Sequence, residues 1–273
     1  MLSPSEPTIA VEELIMCTLV AFYKVYQDYP QVVGVNRDEL LSRKGMVPRL
    51  IEGQIPIYAP IDPKEGGTWI GVNQAGLVVA ILNRISEKEW DVAGPRSRGL
   101  ICLDALRKAS AGDVLAMVRQ EVGRRLYNKF TLLCMDAEHA FVARYDGDDS
   151  LSWVELVPGV HVLVNYGPEE QATTESLKRV KERSERRQRK AMEVFRHPSA
   201  EAQEAIEELR GLFQEHEDGI CQHGPQFGTT SSTIIALGKE AIFLHADGSP
   251  CTSAYEDYSH LLETGGGNQQ TPR

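Results

Sequence analysis

Short runs of β-forming residues dominate the first third of the chain. The runs 17–26 and 31–36 are separated by a turn-like segment and predict a β-hairpin. Two more strands are predicted at 68–73 and 77–84, because apolar residues recur there with strand spacing on either side of a short turn. The segment 45–65 is rich in proline and glycine, which predicts a loop.

The remaining pattern alternates between a helical period and a strand period. It predicts, in chain order, helices at 97–108 and 111–126, a strand meander at 130–165, helices at 168–195 and 200–214, and a hairpin at 228–247. Hairpins outnumber βαβ units in this order. The pattern therefore predicts an α+β protein with mainly antiparallel sheets, most simply two sheets with helices outside them.

The domain organisation follows from the two ends of the pattern. Residues 1–16 are unlike the strand that follows, and their acidic residues exclude a secretory signal. We expect this extension to be removed, or not translated if synthesis starts at Met16. Residues 17–262 form one predicted domain, and the glycine-rich tail 263–273 is predicted to be disordered.

Composition and charge narrow the class of partner. The 273 residues carry a formal net charge of −10, which argues against nucleic acid. No apolar run approaches the roughly 20 residues of a membrane span. Five widely spaced cysteines, an odd number without a CxxC pair, favour the reducing cytoplasm. Cys221-x-His223 has no second pair at ligand spacing, so we predict no metal and no cofactor.

Cys17 is the strongest candidate for chemistry. If Met16 is removed, Cys17 becomes the first residue, and its thiol and free α-amine share one residue. An α-amine titrates near 7.7–8.0 and can take the proton of the neighbouring thiol, so a nucleophile and a base are both present. A small buried cysteine at the start of a strand is an equally good interpretation of position alone.

Polar residues follow three predicted strands. Arg37 and Asp38 lie in the run Asn36–Glu39, where Asp38 could face an ammonium and Arg37 a thiolate; an ordinary solvated strand end is the simpler interpretation. Asn83 and Asn165 each end an apolar run, and a side-chain amide can stabilise the oxyanion of acyl transfer. For either asparagine alone, the start of a turn is the simpler interpretation.

Several blocks together resemble a known family. They are MCTLVAF at 16–22, VNRDE at 35–39, GGTWIGVNQAGLVVAILNR at 66–84, SRG at 97–99, LVPGVHVLVN at 156–165 and FGTTSSTII at 227–235. This set is similar to the NRDE family, which includes the transport and Golgi organization protein 2 relatives. That family in turn resembles N-terminal nucleophile hydrolases of the choloylglycine hydrolase and penicillin V acylase type. The resemblance implies a four-layer αββα fold.

The same resemblance assigns roles to individual residues. Cys17 corresponds to the nucleophile, Asp38 to the partner of its α-amine, and Asn83 and Asn165 to the oxyanion position and the second asparagine. Two positions depart from the pattern. The hydrolases have an arginine where this chain has Val35, although Arg37 lies two residues on and on the same face of the strand. Many relatives have an arginine where this chain has Thr230.

Two functions from different classes follow. One is a cysteine N-terminal nucleophile hydrolase that acts on a small-molecule, non-peptide amide through Cys17. The other is a non-catalytic carrier of an apolar small molecule, since relatives are linked to haem handling and lipid homeostasis. Both are expected to be cytoplasmic, and the oligomeric state is left open. The basic stretch 178–190 is interpreted as a solvated helix face, and Trp69 as core packing.

Overall fold

Two antiparallel sheets form the centre of the computed structural model, which describes residues 16–85, 94–148, 150–167 and 171–263. Strands are numbered in chain order. The first sheet contains, in spatial order, β10 (Gly159–Val164), β1 (Thr18–Tyr23), β2 (Gln31–Leu40), β11 (Phe227–Leu237), β12 (Ala241–Ala246) and β13 (Glu256–Asp257). The second contains β3 (Met46–Ile51), β4 (Ile57–Ile61), β5 (Ile70–Asn73), β6 (Val78–Asn83), β7 (Phe130–Met135), β8 (Ala140–Tyr145) and β9 (Leu151–Glu155).

The helices cover the outer faces of the two sheets. They are α1 (Arg98–Ala105), α2 (Ala111–Val122), α3 (Glu175–Val194) and α4 (Ala202–Phe213), and a short fifth helix, α5 (His260–Glu263), follows β13. Helix α1 packs on β6 and α2 on β7, whereas α3 packs on β10 and α4 on β2. The result is an α+β sandwich of four layers, as the sequence predicts.

Alternation along β1 and β2 explains this layering. Leu19 and Val35 pack in the core between the sheets, whereas Val20 and Phe22 pack outward in a second core that includes Leu209 of α4. Successive strand residues point to opposite faces, so both faces of this sheet are buried. The burial removes the strands from water on both sides and fixes their register.

Two predicted elements need correction. The prediction of a loop at 45–65 is wrong, because β3 and β4 lie there as the edge of the second sheet. Pro48 is tolerated in β3 because this strand is at the edge and its pairing with β4 shifts register between Met46 and Arg49. The helix predicted from residue 168 begins at Glu175, where the Thr174 hydroxyl accepts a hydrogen bond from Leu177 N.

Other predictions fall beyond the described residues. The structure describes neither residues 1–15 nor 264–273, so the removal of the extension and the disorder of the tail stay predictions. Among the helices in the described ranges, none is both long and apolar enough to cross a membrane.

Candidate active site

Strand register brings Cys17 beside Arg37. Cys17 immediately precedes β1, and the next residue, Thr18, is paired with Asn36 of β2. Continuing the antiparallel register by one residue places Cys17 opposite Arg37. Both face the second sheet, whereas Thr18, Asn36 and Asp38 face helices α3 and α4.

A cavity of about 560 Å³ opens in front of Cys17. Its wall mixes charged, polar and apolar side chains from the second strand, the second sheet and the segment that leads into α1: Cys17, Arg37, Asp38, Glu39, Leu40, Arg43, Asp62, Lys64, Glu65, Thr68, Trp69, Ile81, Asn83, Pro95, Arg96, Ser97, Arg98, Gly99 and Asn128. A small polar molecule with an apolar part would match this wall.

The rim beside Trp69 depends on two glycines. Thr68 N donates a hydrogen bond to Gly99 O at 3.0 Å, which holds the start of α1 against the segment that leads into β5. A Cβ atom on Gly67 would lie 2.2 Å from the carbonyl carbon of Gly99. Only glycine permits this close approach of two backbones.

The Cys17 thiol is held in its neutral form while Met16 is attached. Its Sγ donates to the backbone carbonyl of Asp38, with 3.7 Å between sulfur and oxygen. Burial raises the pKa of Cys17 to about 12; the negative charge of Asp38 adds to this, and Arg37 opposes it. In this state the thiol is a poor nucleophile.

Arg37 is fixed in the wall of the cavity. Its Nη1 donates to Arg43 O at 3.1 Å and to Thr230 Oγ1 at 3.0 Å, and its Nη2 lies 3.2 Å from Glu39 Oε2. The guanidinium carbon lies 4.5 Å from the centre of the Trp69 ring. Trp69 therefore lines the site as well as the core, and Thr230 accepts a hydrogen bond that an arginine there could not accept.

Asp38 points away from the cavity, toward the helix layer. Its Oδ2 lies 2.9 Å from Arg187 Nη2 and its Oδ1 accepts a hydrogen bond of 2.6 Å from Thr229 Oγ1. Burial raises the pKa of Asp38, whereas the Arg187 charge and the Thr229 hydroxyl lower it. Arg187 also donates to the backbone carbonyl of Met16 and, at 3.3 Å, to Thr18 Oγ1.

Arg187 is the main residue that the sequence analysis missed. The interpretation of 178–190 as a solvated face is wrong at this position, because Arg187 is fully buried. The signal was present in the helical period. Val180, Ser184 and Ala191 form the buried stripe of α3, and Arg187 lies on that stripe.

The three asparagines near the site differ in position. Asn83 lines the cavity, as does Asn128, whose buried Oδ1 has no hydrogen-bond partner among the described residues. Asn165 is not part of the cavity wall. It follows Val164, the partner of Thr18 in β10, and is therefore level with Cys17 on the neighbouring strand. Asn165 is fully buried, and neither atom of its amide group has a partner in the described part of the chain.

The predicted residues are thus brought together in part. Cys17, Arg37, Asp38 and Asn83 line one cavity, although the Asp38 carboxylate itself is bound to Arg187, whereas Asn165 lies level with Cys17 on the neighbouring strand and is not part of the wall. The arrangement supplies a thiol that can attack a carbonyl carbon, the guanidinium groups of Arg37 and Arg187 near it, and side-chain amides that can donate to an oxyanion. A nucleophile and oxyanion donors are the groups that acyl transfer uses.

A second cluster lies apart from the cavity, on the far side of Thr229. It contains His216, Cys221, His223 and Cys251, whose potential ligand atoms all lie within 4.8 Å of one another. The partner that the Cys221-x-His223 pair lacks in the sequence is supplied by more distant residues.

Comparison with known proteins gives two kinds of match. The family model described as Transport and Golgi organisation 2 matches residues 16–244. The Transport and Golgi organization protein 2 homolog of Homo sapiens is 27% identical over 145 residues, which is 50% of this chain and 51% of that protein. The chain thus spans about half of that relative. The Bos taurus homolog is 26% identical over 233 residues, which is 77% of this chain and 82% of that protein.

Solved structures share the fold at low sequence identity. The penicillin V acylase from Agrobacterium tumefaciens matches with a TM-score of 0.54 and 14% identity, over 90% of this chain and 87% of that one. A variant conjugated bile acid hydrolase from Clostridium perfringens matches with a TM-score of 0.53 and 12% identity, over 90% and 94%. These are N-terminal nucleophile hydrolase folds, and the family match covers most of the chain. The chain therefore belongs to the Transport and Golgi organisation 2 family, also called NRDE, on the fold of the N-terminal nucleophile hydrolases.

Proposed function

We propose that this protein, once Cys17 is its first residue, hydrolyses a non-peptide amide of a small molecule. The observation that carries this proposal is the position of Cys17, with its side chain on a cavity of about 560 Å³ and its backbone beside the buried Asp38–Arg187 pair. The named activities of the two matched structures, an acylase and a hydrolase, favour the same class of reaction.

Loss of Met16 changes the surroundings of Cys17. Arg187 gives up the Met16 carbonyl as an acceptor, and the new α-amine lies near the Asp38 carboxylate that Arg187 already contacts. The Arg187 cation and burial both disfavour the ammonium form, whereas Asp38 favours it. An α-amine ordinarily titrates near 7.7–8.0, so a share of it is neutral near pH 7, and the neutral form can accept the thiol proton.

Catalysis then proceeds by acyl transfer through the sulfur. The α-amine takes the thiol proton, and the thiolate attacks the amide carbonyl carbon. The carbon–nitrogen bond breaks, and the leaving amine receives that proton. Water attacks the resulting thioester, which releases a carboxylic acid and restores the thiol.

Two kinds of group support the transition state. The Asn83 amide on the cavity wall donates to the oxyanion, and Asn165, which the register places level with Cys17, provides the second amide. Arg37 is held beside Cys17 by Thr230, Glu39 and Trp69, and its charge stabilises the thiolate.

The five cysteines are all free, which suits a reducing compartment, and we therefore place the activity in the cytoplasm.

A carrier of a small apolar molecule is the second candidate. The observation that favours it is the state of the chain that keeps Met16, in which the Cys17 thiol has a pKa of about 12 and no free amine. Such a chain retains the cavity but lacks the α-amine that would act as the base. The state of the N-terminus, with Cys17 free or preceded by Met16, therefore distinguishes the two functions.

The deciding experiment compares three proteins: the full chain, a chain that begins at Cys17, and that shorter chain with Cys17→Ser. Each is incubated with a panel of N-acyl amides, and the released amines and any acyl adduct on the intact protein are measured by mass spectrometry. We expect turnover and an acyl adduct on residue 17 for the shorter chain alone. The serine variant is the matched control, since it changes one atom of the side chain.

The opposite results are equally informative. Equal turnover by the shorter chain and its serine variant excludes Cys17 as the nucleophile. A native protein that retains residues 1–16 by intact mass, together with saturable ligand binding and no turnover, favours the carrier.

A further inference from the structure

The cluster behind the candidate site has the composition of a zinc centre. Cys221 Sγ lies 3.6 Å from Cys251 Sγ and 3.7 Å from His223 Nε2, and His223 Nε2 lies 3.1 Å from Cys251 Sγ. His216 completes the group, with its ring centre 5.2 Å from that of His223. Two thiols and two imidazoles are one of the standard ligand sets of structural zinc.

The separations among Cys221, His223 and Cys251 agree with a tetrahedral ion, and with His216 included the four potential ligand atoms lie within 4.8 Å of one another. Zinc–sulfur bonds of about 2.3 Å and zinc–nitrogen bonds of about 2.0 Å place tetrahedral ligand atoms about 3.3–3.8 Å apart. The three measured separations lie within a few tenths of an ångström of that range. The sulfurs are also much farther apart than the roughly 2.05 Å of a disulfide bond.

Two separate stretches of chain bring these four residues together. His216 follows α4, Cys221 and His223 lie in the segment that leads into β11, and Cys251 lies 28 positions after His223 in the turn beyond β12. The nearest neighbours in sequence, Cys221 and His223, therefore form only half of the set. Closure of long loops is where a metal clip stabilises a fold most.

We propose that this protein binds one Zn²⁺ through His216, Cys221, His223 and Cys251, and that the ion has a structural role. Four protein ligands complete the coordination and leave no open position for a substrate or a reactive water. Two thiolates and two neutral imidazoles balance the charge of the ion. Binding of Zn²⁺ therefore displaces two thiol protons to solvent.

The site stabilises the residue that orients Asp38. Gln222 N, between two of the ligands, donates to Thr229 Oγ1 at 2.8 Å, and that hydroxyl donates to Asp38. On the other side, Ser249 Oγ, two residues before Cys251, donates to Thr229 O at 2.7 Å. Both metal-bearing segments thus contact Thr229, so the ion would fasten the outer support of the Asp38–Arg187 pair. The binding of zinc itself does not depend on the proposed hydrolase activity.

The test uses the full chain, purified under a thiol-free reductant and with zinc as the only added metal. We expect about one zinc per chain by elemental analysis after dialysis. Replacement by Co²⁺ should give the visible bands of tetrahedral cobalt and a thiolate-to-metal charge-transfer band. Zinc should raise the melting temperature of the apoprotein.

Matched variants identify the ligands. Cys221→Ser, Cys251→Ser and His223→Gln should each lose most of the zinc and the zinc-dependent shift in melting temperature, with His216→Gln losing part. Cys134→Ser and the exposed His197→Gln should keep both. Circular dichroism of each apoprotein shows whether a variant still folds.

Three results would overturn the proposal. One is wild-type protein without zinc and without a cobalt charge-transfer band. The second is zinc content that survives Cys221→Ser and Cys251→Ser together. The third is a disulfide bond between these two cysteines in the reduced preparation, found by peptide mapping, which would show that the pair serves a covalent link instead.

Discussion

Arg187 of helix α3 and Asp38 of strand β2 form a salt bridge in which both side chains are fully buried, with 2.9 Å between Nη2 and Oδ2. The same guanidinium reaches the Met16 carbonyl and the Thr18 hydroxyl. One arginine therefore joins the helix layer to the start of β1, the point at which the nucleophile is expected.

Removing one partner of this pair should destabilise the fold strongly. Arg187→Met leaves the Asp38 carboxylate buried without its counter-charge, and Asp38→Asn leaves the guanidinium in the same state. Each is expected to cost about 3–5 kcal/mol, whereas the double variant should lose much less than the sum. Urea unfolding at pH 7 measures the three values.

A pair on the same helix provides the control. Glu175 and Lys178 are exposed, and Glu175→Gln should change stability little. Additive losses for Arg187→Met and Asp38→Asn would mean that the two side chains act independently, against the structure.

The reactivity of Cys17 should depend on what precedes it. In the full chain burial holds the pKa of this thiol at about 12, so iodoacetamide should alkylate it slowly near neutral pH. In the chain that begins at Cys17, labelling should be at least about tenfold faster, because the α-amine takes the proton. Mass-spectrometric peptide mapping over time gives both rates.

The same protein supplies internal references. Cys102 and Cys134 are fully buried, and burial raises the pKa of each thiol. Both should lag behind Cys17 in the shorter chain. Labelling of Cys17 at their rate, in a protein that remains folded, would contradict the assignment of a nucleophile.

Asn165 offers a test that separates function from packing. Its amide is buried without a hydrogen-bond partner among the described residues, and such a group costs about 1–3 kcal/mol. Asn165→Leu keeps the number and branching of the side-chain heavy atoms and removes the unpaired polar atoms, so it should leave the fold equally stable or more stable. If Asn165 supports the oxyanion, turnover by the chain that begins at Cys17 should fall roughly 10²–10³-fold.

Asn36 is the matched control for that substitution. Its amide donates to Phe213 O at 2.9 Å and to Ile220 O at 3.0 Å, so Asn36→Leu should destabilise the protein. A large loss of stability in Asn165→Leu, comparable to that of Asn36→Leu, would assign Asn165 to packing.

The strand pattern predicts the central architecture because its cause is local. Val33 and Val35 alternate with Val32 and Asn36 in β2, and this alternation places two cores on the two faces of one sheet. Pro48 in β3 leads to the wrong prediction of a loop, because proline is tolerated in a strand mainly at the edge of a sheet. Whether a strand lies at an edge depends on the tertiary structure and cannot be read from the local sequence.

Partners that are distant in sequence are harder to predict. Arg187 lies among many charged residues of α3, and only its place on the stripe with Val180 and Ser184 marks it as buried. No local rule connects Cys251 with Cys221, which lies 30 positions earlier on another segment. The sequence therefore predicts the reactive groups near Cys17, whereas the contacts that position them come from distant residues that only the folded structure brings together.

Buried His245 should make stability depend on pH below neutrality. It lies in β12 with Nδ1 2.9 Å from Thr233 Oγ1, and burial lowers its pKa from 6.5 to about 4. Between these two values the unfolded chain binds a proton that the native protein excludes, so stability falls as pH falls. This group alone should remove about 2 kcal/mol of unfolding free energy between pH 7 and pH 5.

Urea unfolding of the wild type and of His245→Gln, each at pH 7 and pH 5, measures this loss, since the two proteins share all other titrating groups. The variant should lose about that much less than the wild type over the interval, and the exposed His197→Gln should follow the wild type. Equal losses in the wild type and in His245→Gln would mean that His245 is protonated in the native protein, against its burial.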